Sequence, residues 1–342
     1  MKKLAIATAL AALATTASAQ STGVYGVIDT GFQNYNNGAT TFTRAGDNLL
    51  ATSRLGFQGS EDLGGGLKAK FQLEGQINPS AGTMGATTPV AGEMFNREAW
   101  VGIAGSFGEI RLGRQDVSYA QDIDAGVSQF GNFGNRIISG ANSLDIGTDQ
   151  KSVIKYISPV IGGLQVQLGH ASPNNNGATT DADTDQNSVY ARYTVGKFTA
   201  HAGYQKNDGA TAVAQRDLTV VGAAYDFGFA STGLSYSEGD TSTTANVKTK
   251  ATQGSVKVPL ANGFAVHGVY AMIKDGASTT DNKGTGYTVG VTKALSKRTT
   301  LYAAYSATDN QVNSQAYMAG QSLPAAAGTD VKTTSFGISH VF

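Results

Sequence analysis

The sequence predicts an all-β fold, a 16-stranded antiparallel transmembrane β-barrel. Three observations support this prediction. Segments that alternate between apolar and polar residues recur about every 20 residues, short and long links alternate between them, and one face of the segments stays free of charge. After the N-terminal region, no stretch approaches the ~18 unbroken apolar residues of a membrane helix.

Sixteen segments carry the period-two pattern of a strand with one apolar face, and no helical stripe of useful length interrupts them. We place the segments at 23–33, 52–60, 67–76, 96–105, 109–115, 152–158, 164–171, 187–195, 197–205, 217–227, 229–237, 249–258, 263–273, 286–294, 299–307 and 334–342. An even number suits a closed antiparallel barrel whose two termini lie on the same side.

The links between the segments alternate in length. Short links include EDLGGG, SFG, VGK, DFG, LANG and SKR, whereas long polar links include SPNNNGATTDADTDQ and EGDTSTTANVK. An up-and-down barrel in an outer membrane has tight turns on its inner side and long loops on its outer side. The alternation therefore favours a barrel over a soluble sandwich, which has no reason to keep this parity.

The segment at 263–273 shows a face that lipid can cover. Its even-numbered positions are uncharged and include Tyr270, whereas His267 lies on the opposite face. The segment at 197–205 has the same division, with His201 on the polar face. Uncharged faces that end in Tyr or Phe are typical of an aromatic girdle at a membrane interface.

The N-terminus has the features of a secretory signal peptide. Lys2 and Lys3 precede an apolar stretch, and a small-residue cleavage site follows at 17–19. Removal of residues 1–19 leaves a mature barrel domain at 20–342 and changes the balance of 25 basic and 25 acidic residues to a net charge of −2. This charge does not indicate a nucleic-acid partner. The chain contains no cysteine, so disulfides cannot stabilise it.

No motif indicates an enzyme. The sequence lacks a GxSxG elbow, a phosphate-binding loop and a pair of histidines with zinc spacing. The stretch at 181–192 resembles the start of a calcium loop, but Gln186 replaces the turn glycine and Arg192 replaces the bidentate glutamate. We therefore expect a protein that is not an enzyme, with no cofactor and no metal site. Loose binding of divalent cations by this outer loop is the alternative.

Several blocks resemble one protein family in their order. They are GVYGVIDTGF, SRLGFQGSEDLGGGLKAKFQLE, FNREAWVGIAGSFGEIRLGR, YISPVIGGLQVQLGH and a closing FGISHVF. Together they are similar to the blocks of the trimeric Gram-negative porins of the neisserial and beta-proteobacterial type, and the second and third are specific to that family. The resemblance runs from the signal peptide to the last residue.

The resemblance implies a homotrimer of 16-stranded barrels in the cell outer membrane, in contact with lipid and lipopolysaccharide. It implies a general diffusion porin, a water-filled channel for small ions and hydrophilic solutes. In such porins the third outer loop, here about 115–149, folds into the lumen and narrows it. The terminal Phe342 is the tag that the outer-membrane assembly machinery recognises in this family.

Basic residues of the early segments are predicted to line one wall of the lumen. Strand alternation places Arg54, Lys70, Glu74, Arg97 and Arg111 on polar faces of neighbouring segments. The four cations would form a ladder along the wall. Fixed charge in a narrow pore selects among ions, because a permeating ion sheds part of its water there.

If Arg97 faces the lumen, strand alternation places Glu98 and Trp100 on the outward face. We therefore expect Glu98 near a rim or a subunit contact. The resemblance assigns the trimer interface to the first strands and the last one, so Trp100 and Val101 are expected to pack against a neighbouring subunit.

The resemblance assigns Arg54 and Arg97 to the pore constriction, with Glu74 as their acidic counterpart. The sequence leaves a third cation open between Lys151, which precedes the YISP block, and Arg136 in the third loop. Two arginines and one of these cations would favour anions.

Acidic residues of the third loop are expected to face this basic ladder across the gap. They include Asp116, Asp122 and Asp124. The two charged walls would create a transverse field at the narrowest point. We therefore expect a mild anion preference, which a potassium preference of the pore would contradict.

Two alternatives use the same barrel. A solute-specific channel would need an aromatic track along the lumen, which the inward phases do not show. A surface adhesin or structural barrel would have a blocked lumen and no conductance in a planar bilayer. A secreted β-sandwich is a third alternative, and a heat-modifiable trimer on a gel would argue against it.

Overall fold

The computed structural model describes residues 21–85, 93–117, 123, 126–134, 138–139, 149–172, 185–208, 216–240, 248–274, 283–314, 316–317 and 325–342. The predicted signal peptide, residues 1–19, lies outside these ranges. Strands are numbered β1 to β20 in chain order.

Sixteen strands of the described residues form a closed antiparallel barrel, which confirms the predicted fold class. They are β1 (Ser21–Asn36), β3 (Arg54–Gly64), β4 (Leu67–Asn78), β6 (Glu98–Gly105), β7 (Gly108–Asp116), β9 (Asp149–Ile157), β10 (Leu164–Ala171), β11 (Asp185–Val195), β12 (Phe198–Asp208), β13 (Arg216–Asp226), β14 (Ser231–Asp240), β15 (Lys248–Pro259), β16 (Phe264–Lys274), β17 (Lys283–Ala294), β18 (Thr299–Asn310) and β20 (Lys332–Val341). Each predicted segment corresponds to one of these strands, and most strands extend further toward the long links.

Four short strands were not predicted from the sequence. They are β2 (Thr41–Asp47), β5 (Thr83–Met84), β8 (Ile138–Ser139) and β19 (Ala316–Tyr317). Strand β2 pairs with the second half of β1, whereas β3 pairs with its first half. Strands β8 and β19 pair with each other, so a part of the third outer loop is joined to the last one.

The last strand closes the barrel against the first, as predicted. The register of β1 and β20 runs from Val27 opposite Val341 to Asn36 opposite Lys332. Beyond this ladder, the Phe342 N–H donates to the Gly26 carbonyl at 3.0 Å, and the Gly26 N–H donates to the Phe342 carbonyl at 3.1 Å. A Cβ at position 26 would lie 2.4 Å from the Phe342 ring, so only glycine leaves room for that ring.

Exposure separates the two faces of the wall. The outward positions are apolar and exposed, as Leu234 (66%) and Tyr270 (53%) show. The inward neighbours of Leu234 along the same wall are small and polar, and Ser235 and Ser237 are buried. Burial on a lumen face requires something inside the barrel, and two segments of the chain supply it.

The first inner segment is 48–53, which leaves the wall between β2 and β3. Asn48 takes a left-handed backbone conformation, with φ of 62°. The carboxylate of Asp29, which is fully buried on β1, accepts hydrogen bonds from three backbone N–H groups of this segment and from the hydroxyl of Tyr302 on β18. The distances are 2.8 Å from Leu49, 3.2 Å from Leu50, 3.3 Å from Ala51 and 2.9 Å from Tyr302.

We expect Asp29→Ala to destabilise the barrel. The change leaves several buried donors without an acceptor, and each such donor costs about 1–3 kcal/mol. The measurement is the temperature at which the folded protein converts to the unfolded form on a gel. Tyr302→Phe, which removes only one donor, should lower that temperature less, and an Asp29→Ala protein that converts at the wild-type temperature would contradict the anchoring role.

The second inner segment belongs to the third outer loop and is described at 123 and 126–134. It includes a 3-10 turn at Gly131–Gly134. Its apolar residues pack inside the barrel, where Ile123, Val127 and Phe130 are almost fully buried. This position confirms the predicted inward fold of the loop.

No helix among the described residues is long and apolar enough to span a membrane.

Glycines of β14 and β17, here called the far wall together with β15 and β16, let the third loop approach the barrel wall closely. A Cβ at Gly233 of β14 would lie 1.9 Å from the Val127 carbonyl oxygen, and one at Gly290 of β17 would lie 2.3 Å from the Phe130 ring. The His267 ring of β16 stacks on Phe130 with centroids 4.3 Å apart. Through these contacts the loop packs against β14, β16 and β17.

Polar groups of the same wall bind the loop backbone. The Ser255 hydroxyl donates to the Val127 carbonyl at 2.9 Å, and His267 Nδ1 donates to the Gln129 carbonyl at 2.6 Å. On its other side, the Asn132 side chain donates to the Asn48 carbonyl at 2.9 Å. The two inner segments are therefore joined to each other as well as to the wall.

Candidate functional site: the charged wall of the lumen

Arg54, Glu74 and Arg97 form one cluster, here called the upper cluster. Arg97 Nε donates to Glu74 Oε1 at 2.6 Å, and Arg54 Nε lies 3.6 Å from Glu74 Oε2. Glu74 is 5% exposed, whereas both arginine side chains keep about a third of their surface open. The structure thus brings together the three residues that the sequence placed on one wall.

Register explains why these side chains meet. Arg54 begins β3 and lies opposite Gln76 of β4, two positions from Glu74 on the same face. Arg97 precedes β6, and its backbone N–H donates to the Glu74 carbonyl at 3.1 Å. Glu98 is also in register with Glu74. Arg97 and Glu98 therefore both lie opposite Glu74, as in a β-bulge, and the alternation of inward and outward side chains is interrupted at this point.

This break corrects two predictions from strand phase. Glu98 and Trp100 face the lumen, because they are in register with Glu74 and Gln72. Glu98 Oε1 accepts a 3.5 Å hydrogen bond from the backbone of Asp116, so it is not a residue of the subunit contact. Trp100 is 6% exposed inside the barrel, whereas Val101, at 58%, remains on the outer face as expected.

Tyr25 of β1 supports the upper cluster. Its hydroxyl donates to Glu74 Oε2 at 2.8 Å and accepts from Gln72 Nε2 at 2.7 Å. A Cβ on Gly56 would lie 2.3 Å from the Tyr25 ring, so the glycine of the SRLGF block lets this ring lie flat on the wall. The sequence analysis missed Tyr25, although the block itself contains the glycine that signals it.

Lys70, Glu109 and Arg111 form a second cluster, here called the lower cluster. Glu109 accepts from Lys70 Nζ at 2.7 Å and from Arg111 Nε at 2.6 Å. The guanidinium carbon of Arg111 lies 4.0 Å from the centre of the Trp100 ring. Lys70 is four residues from Glu74 along β4, about 13 Å toward the short turns.

Sequence reasoning missed Glu109, which links the two predicted cations of the lower cluster. The glycine of the AWVGIAG stretch also matters here, because a Cβ on Gly102 would lie 3.2 Å from Arg111 Cγ and 2.5 Å from the Ile110 carbonyl oxygen. Gly102 therefore lets Arg111 lie along the wall toward Trp100.

Lys151 lies apart from the upper and lower clusters. Its Nζ is 3.0 Å from Glu93 Oε1, and Arg114 Nη1 is 3.5 Å from Glu93 Oε2. Arg114 is in register with Ala99, which lies on the outward face with Val101. The structure therefore places Lys151 with Glu93 and Arg114, near the C-terminal end of β7, rather than with Arg54 and Arg97.

Lys155 is a cation of the lumen wall that the sequence analysis did not single out. It lies directly opposite Arg111 and is 6% exposed. Its Nζ donates to the Asp116 carbonyl at 2.8 Å, next to the carboxylate of Glu98. The sequence could have indicated this residue, because Lys155 immediately precedes the YISP block. The prediction chose Lys151 before the same block instead.

The other predicted constriction residues are only partly placed. Asp116 ends β7, where its backbone contacts Lys155 and Glu98. Asp122, Asp124 and Arg136 lie outside the described residues. The prediction that loop acids face the basic ladder therefore stays a prediction for these positions.

The lumen wall of the early strands carries an excess of positive charge. Each of the upper and lower clusters holds two cations and one carboxylate. Strand β14, which carries the loop contact at Gly233, is eight strands from β4 around the 16-stranded wall, so this end of the docked loop lies opposite the upper cluster. At its other end, Asn132 contacts segment 48–53, next to Arg54.

Comparisons with known proteins agree with this architecture. The sequence profile of the family described as Gram-negative porin matches residues 7–313. Outer membrane porin protein 32 of Delftia acidovorans is 31% identical, with 100% of both chains covered. The major outer membrane protein P.IB of Neisseria gonorrhoeae is 33% identical over 53% of this chain and 51% of its own. The solved structure of an anion-selective porin from Comamonas acidovorans has a TM-score of 0.76 at 27% identity, covering 94% of this chain and 100% of its own.

Proposed function

Because the chain belongs to the Gram-negative porin family and forms a general diffusion porin of the outer membrane, we propose that its pore prefers anions and that the upper cluster lines its constriction. The observation that carries the proposal is the pairing of two arginines with one buried carboxylate on the lumen wall. The similar protein from Comamonas acidovorans is an anion-selective porin, which supports the same preference.

The physical argument rests on the net charge of the three residues of the upper cluster in a confined space. Glu74 neutralises one arginine, so the upper cluster keeps a net charge of +1 next to the ion path. A unit charge 4 Å from an ion contributes about 1 kcal/mol even in bulk water, and more where the wall excludes solvent. The lower cluster adds a further net charge of +1 on the same wall, whereas the charge of Lys155 is offset by the neighbouring carboxylate of Glu98. The attraction for anions therefore extends beyond one point.

Reversal potentials in a potassium chloride gradient test this proposal. Purified protein in a planar bilayer should conduct, and the sign of the potential should show that chloride is more permeant than potassium. A pore that prefers potassium would contradict the anion preference. A preparation that inserts without conductance would instead support the blocked barrel.

We further propose that the protein assembles as a homotrimer, in contact with outer-membrane lipid and lipopolysaccharide, and that the assembly machinery recognises Phe342. The exposed apolar outer face supports the first part, since residues such as Val24 (60% exposed) and Val101 need cover from lipid or a neighbouring subunit. The outward position of Phe342 beside Gly26 supports the second.

Deletion of Phe342 should reduce the yield of inserted, heat-modifiable trimer more than it changes the conductance of the pores that form. The residue makes two backbone hydrogen bonds to Gly26 at the barrel seam, and its side chain lies on the outer face of the wall, whereas the upper cluster lies on the lumen face. Gel mobility with and without heating measures the yield, and single-channel recording measures the conductance. Phe336→Ala, which removes another outward aromatic of β20, is the matched control, and a normal yield of the truncated protein would argue against recognition of Phe342.

A further inference from the structure

A cavity of about 480 Å³ lies on the lumen wall beside the lower cluster, on the side of the short turns. Its lining includes Gly23, Gln58, Lys70, Trp100 and Arg111. The volume falls in the range of pockets that hold small ligands. The cavity is separate from the constriction, because the upper cluster does not line it.

The cationic side of this cavity keeps donors for a ligand. Glu109 uses both carboxylate oxygens on Lys70 and on Arg111 Nε, so it is satisfied within the cluster. These two bonds do not use the terminal nitrogens of Arg111 or two of the three ammonium hydrogens of Lys70, so these groups can donate hydrogen bonds to a ligand. Two cations against one carboxylate leave a net charge of +1, which suits a single carboxylate on the ligand.

The opposite side of the cavity is polar and uncharged. Ser21 and Ser60 place their hydroxyl oxygens 3.1 Å apart at its edge. Gln72 donates through Nε2 to Tyr25, which leaves its amide oxygen as an acceptor, and Gln58 is exposed to the same space. Hydroxyls and amides in this arrangement match the hydroxyl groups of a solute, which both donate and accept.

We propose that this cavity is a low-affinity binding site for small hydroxylated carboxylates, such as sugar acids, on their way through the pore. Lys70 and Arg111 hold the carboxylate, and the serine and glutamine side chains hold the hydroxyl groups. The affinity should be weak, with a dissociation constant on the order of millimolar, because conduction requires that a bound solute also leave. The proposal rests on the proposed function, since it presumes an open pore.

The single tryptophan of the chain provides a direct readout that does not depend on conductance. Trp100 lines the cavity, and its ring lies under the Arg111 guanidinium, so a ligand that draws Arg111 away changes the fluorescence of the ring. Detergent-purified protein is titrated with sodium gluconate at constant ionic strength. Glucose, which lacks the carboxylate, and sodium chloride, which lacks the hydroxyl groups, are the matched controls.

Gly23→Leu fills the cavity without removing a charge. A Cβ at Gly23 meets no atom within 4 Å, so the side chain enters the open space without displacing the wall. We expect a saturable fluorescence change with gluconate alone, its loss in Gly23→Leu, and about fivefold weaker binding in Lys70→Gln, where one nearby charge is removed.

Three results would overturn the site: no saturable change with gluconate, an equal change with glucose or sodium chloride, or an unaltered titration in Gly23→Leu. Heat-modifiable mobility on a gel establishes that each variant is folded. Arg54→Gln with Arg97→Gln should keep the titration while changing ion selectivity, so a failure of the site and a failure of the proposed anion preference give different results.

Discussion

Replacement of both Arg54 and Arg97 by glutamine should turn an anion-preferring pore into one that prefers cations. The change converts the upper cluster from a net charge of +1 to −1, because Glu74 remains and its hydrogen bond from Tyr25 is untouched. Each lost charge near the ion path corresponds to about 1 kcal/mol, or about a fivefold change in relative permeability. Reversal potentials in a potassium chloride gradient measure the shift.

The control removes two cations from outside the proposed constriction. Lys197 and Arg298 lie in exposed short turns, and their replacement by glutamine lowers the net charge of the chain by the same amount. We expect this pair of changes to leave the selectivity nearly unaltered, because solvent screens exposed charges beyond about 10 Å at 0.1 M salt. A chloride preference that persists in the Arg54 and Arg97 variant would assign selectivity to the lower cluster.

Larger side chains at Gly233 and Gly290 should push the third loop away from the wall and narrow the pore. In Gly233→Val the new side chain meets the Val127 backbone, which cannot rotate away as a flexible side chain could. Overpacking of this kind costs about 1–3 kcal/mol. It also separates the Ser255 hydroxyl from the Val127 carbonyl, and His267 from the Gln129 carbonyl.

The expected result for Gly233→Val and Gly290→Leu is a lower single-channel conductance with more open-channel noise, since a displaced loop occupies the lumen and moves within it. Gly268→Val is the matched control, because a Cβ at Gly268 has its nearest neighbour at 3.4 Å, an ordinary contact with Val256. Wild-type conductance and noise in the Gly233 and Gly290 variants would show that the loop does not depend on these contacts.

Strand alternation made the fold and part of the site predictable. A strand has a period of two, so an uncharged face shows which side meets lipid and which side meets water. That rule placed Arg54, Lys70, Glu74 and Arg111 on the lumen side correctly. The even count of sixteen segments and the alternating link lengths then required closure of the last strand on the first.

The same rule failed where the alternation was interrupted. Between Arg97 and Glu98 two consecutive residues lie opposite Glu74, so both reach the lumen. Nothing in the residue types marks this irregularity, because it arises from how β4 and the start of β6 fit together. Trp100, which follows it in the chain, was therefore assigned to the wrong face.

The order of residues along the chain was enough to establish a barrel, the strand faces that meet lipid, and the presence of cations on the early strands. The folded barrel was needed to show which carboxylate each cation meets, because partners such as Lys70 and Glu109 are 39 residues apart and meet through strand register. It was also needed to show that the third loop docks on the far wall, at glycines whose missing side chains become significant only when another segment lies against them.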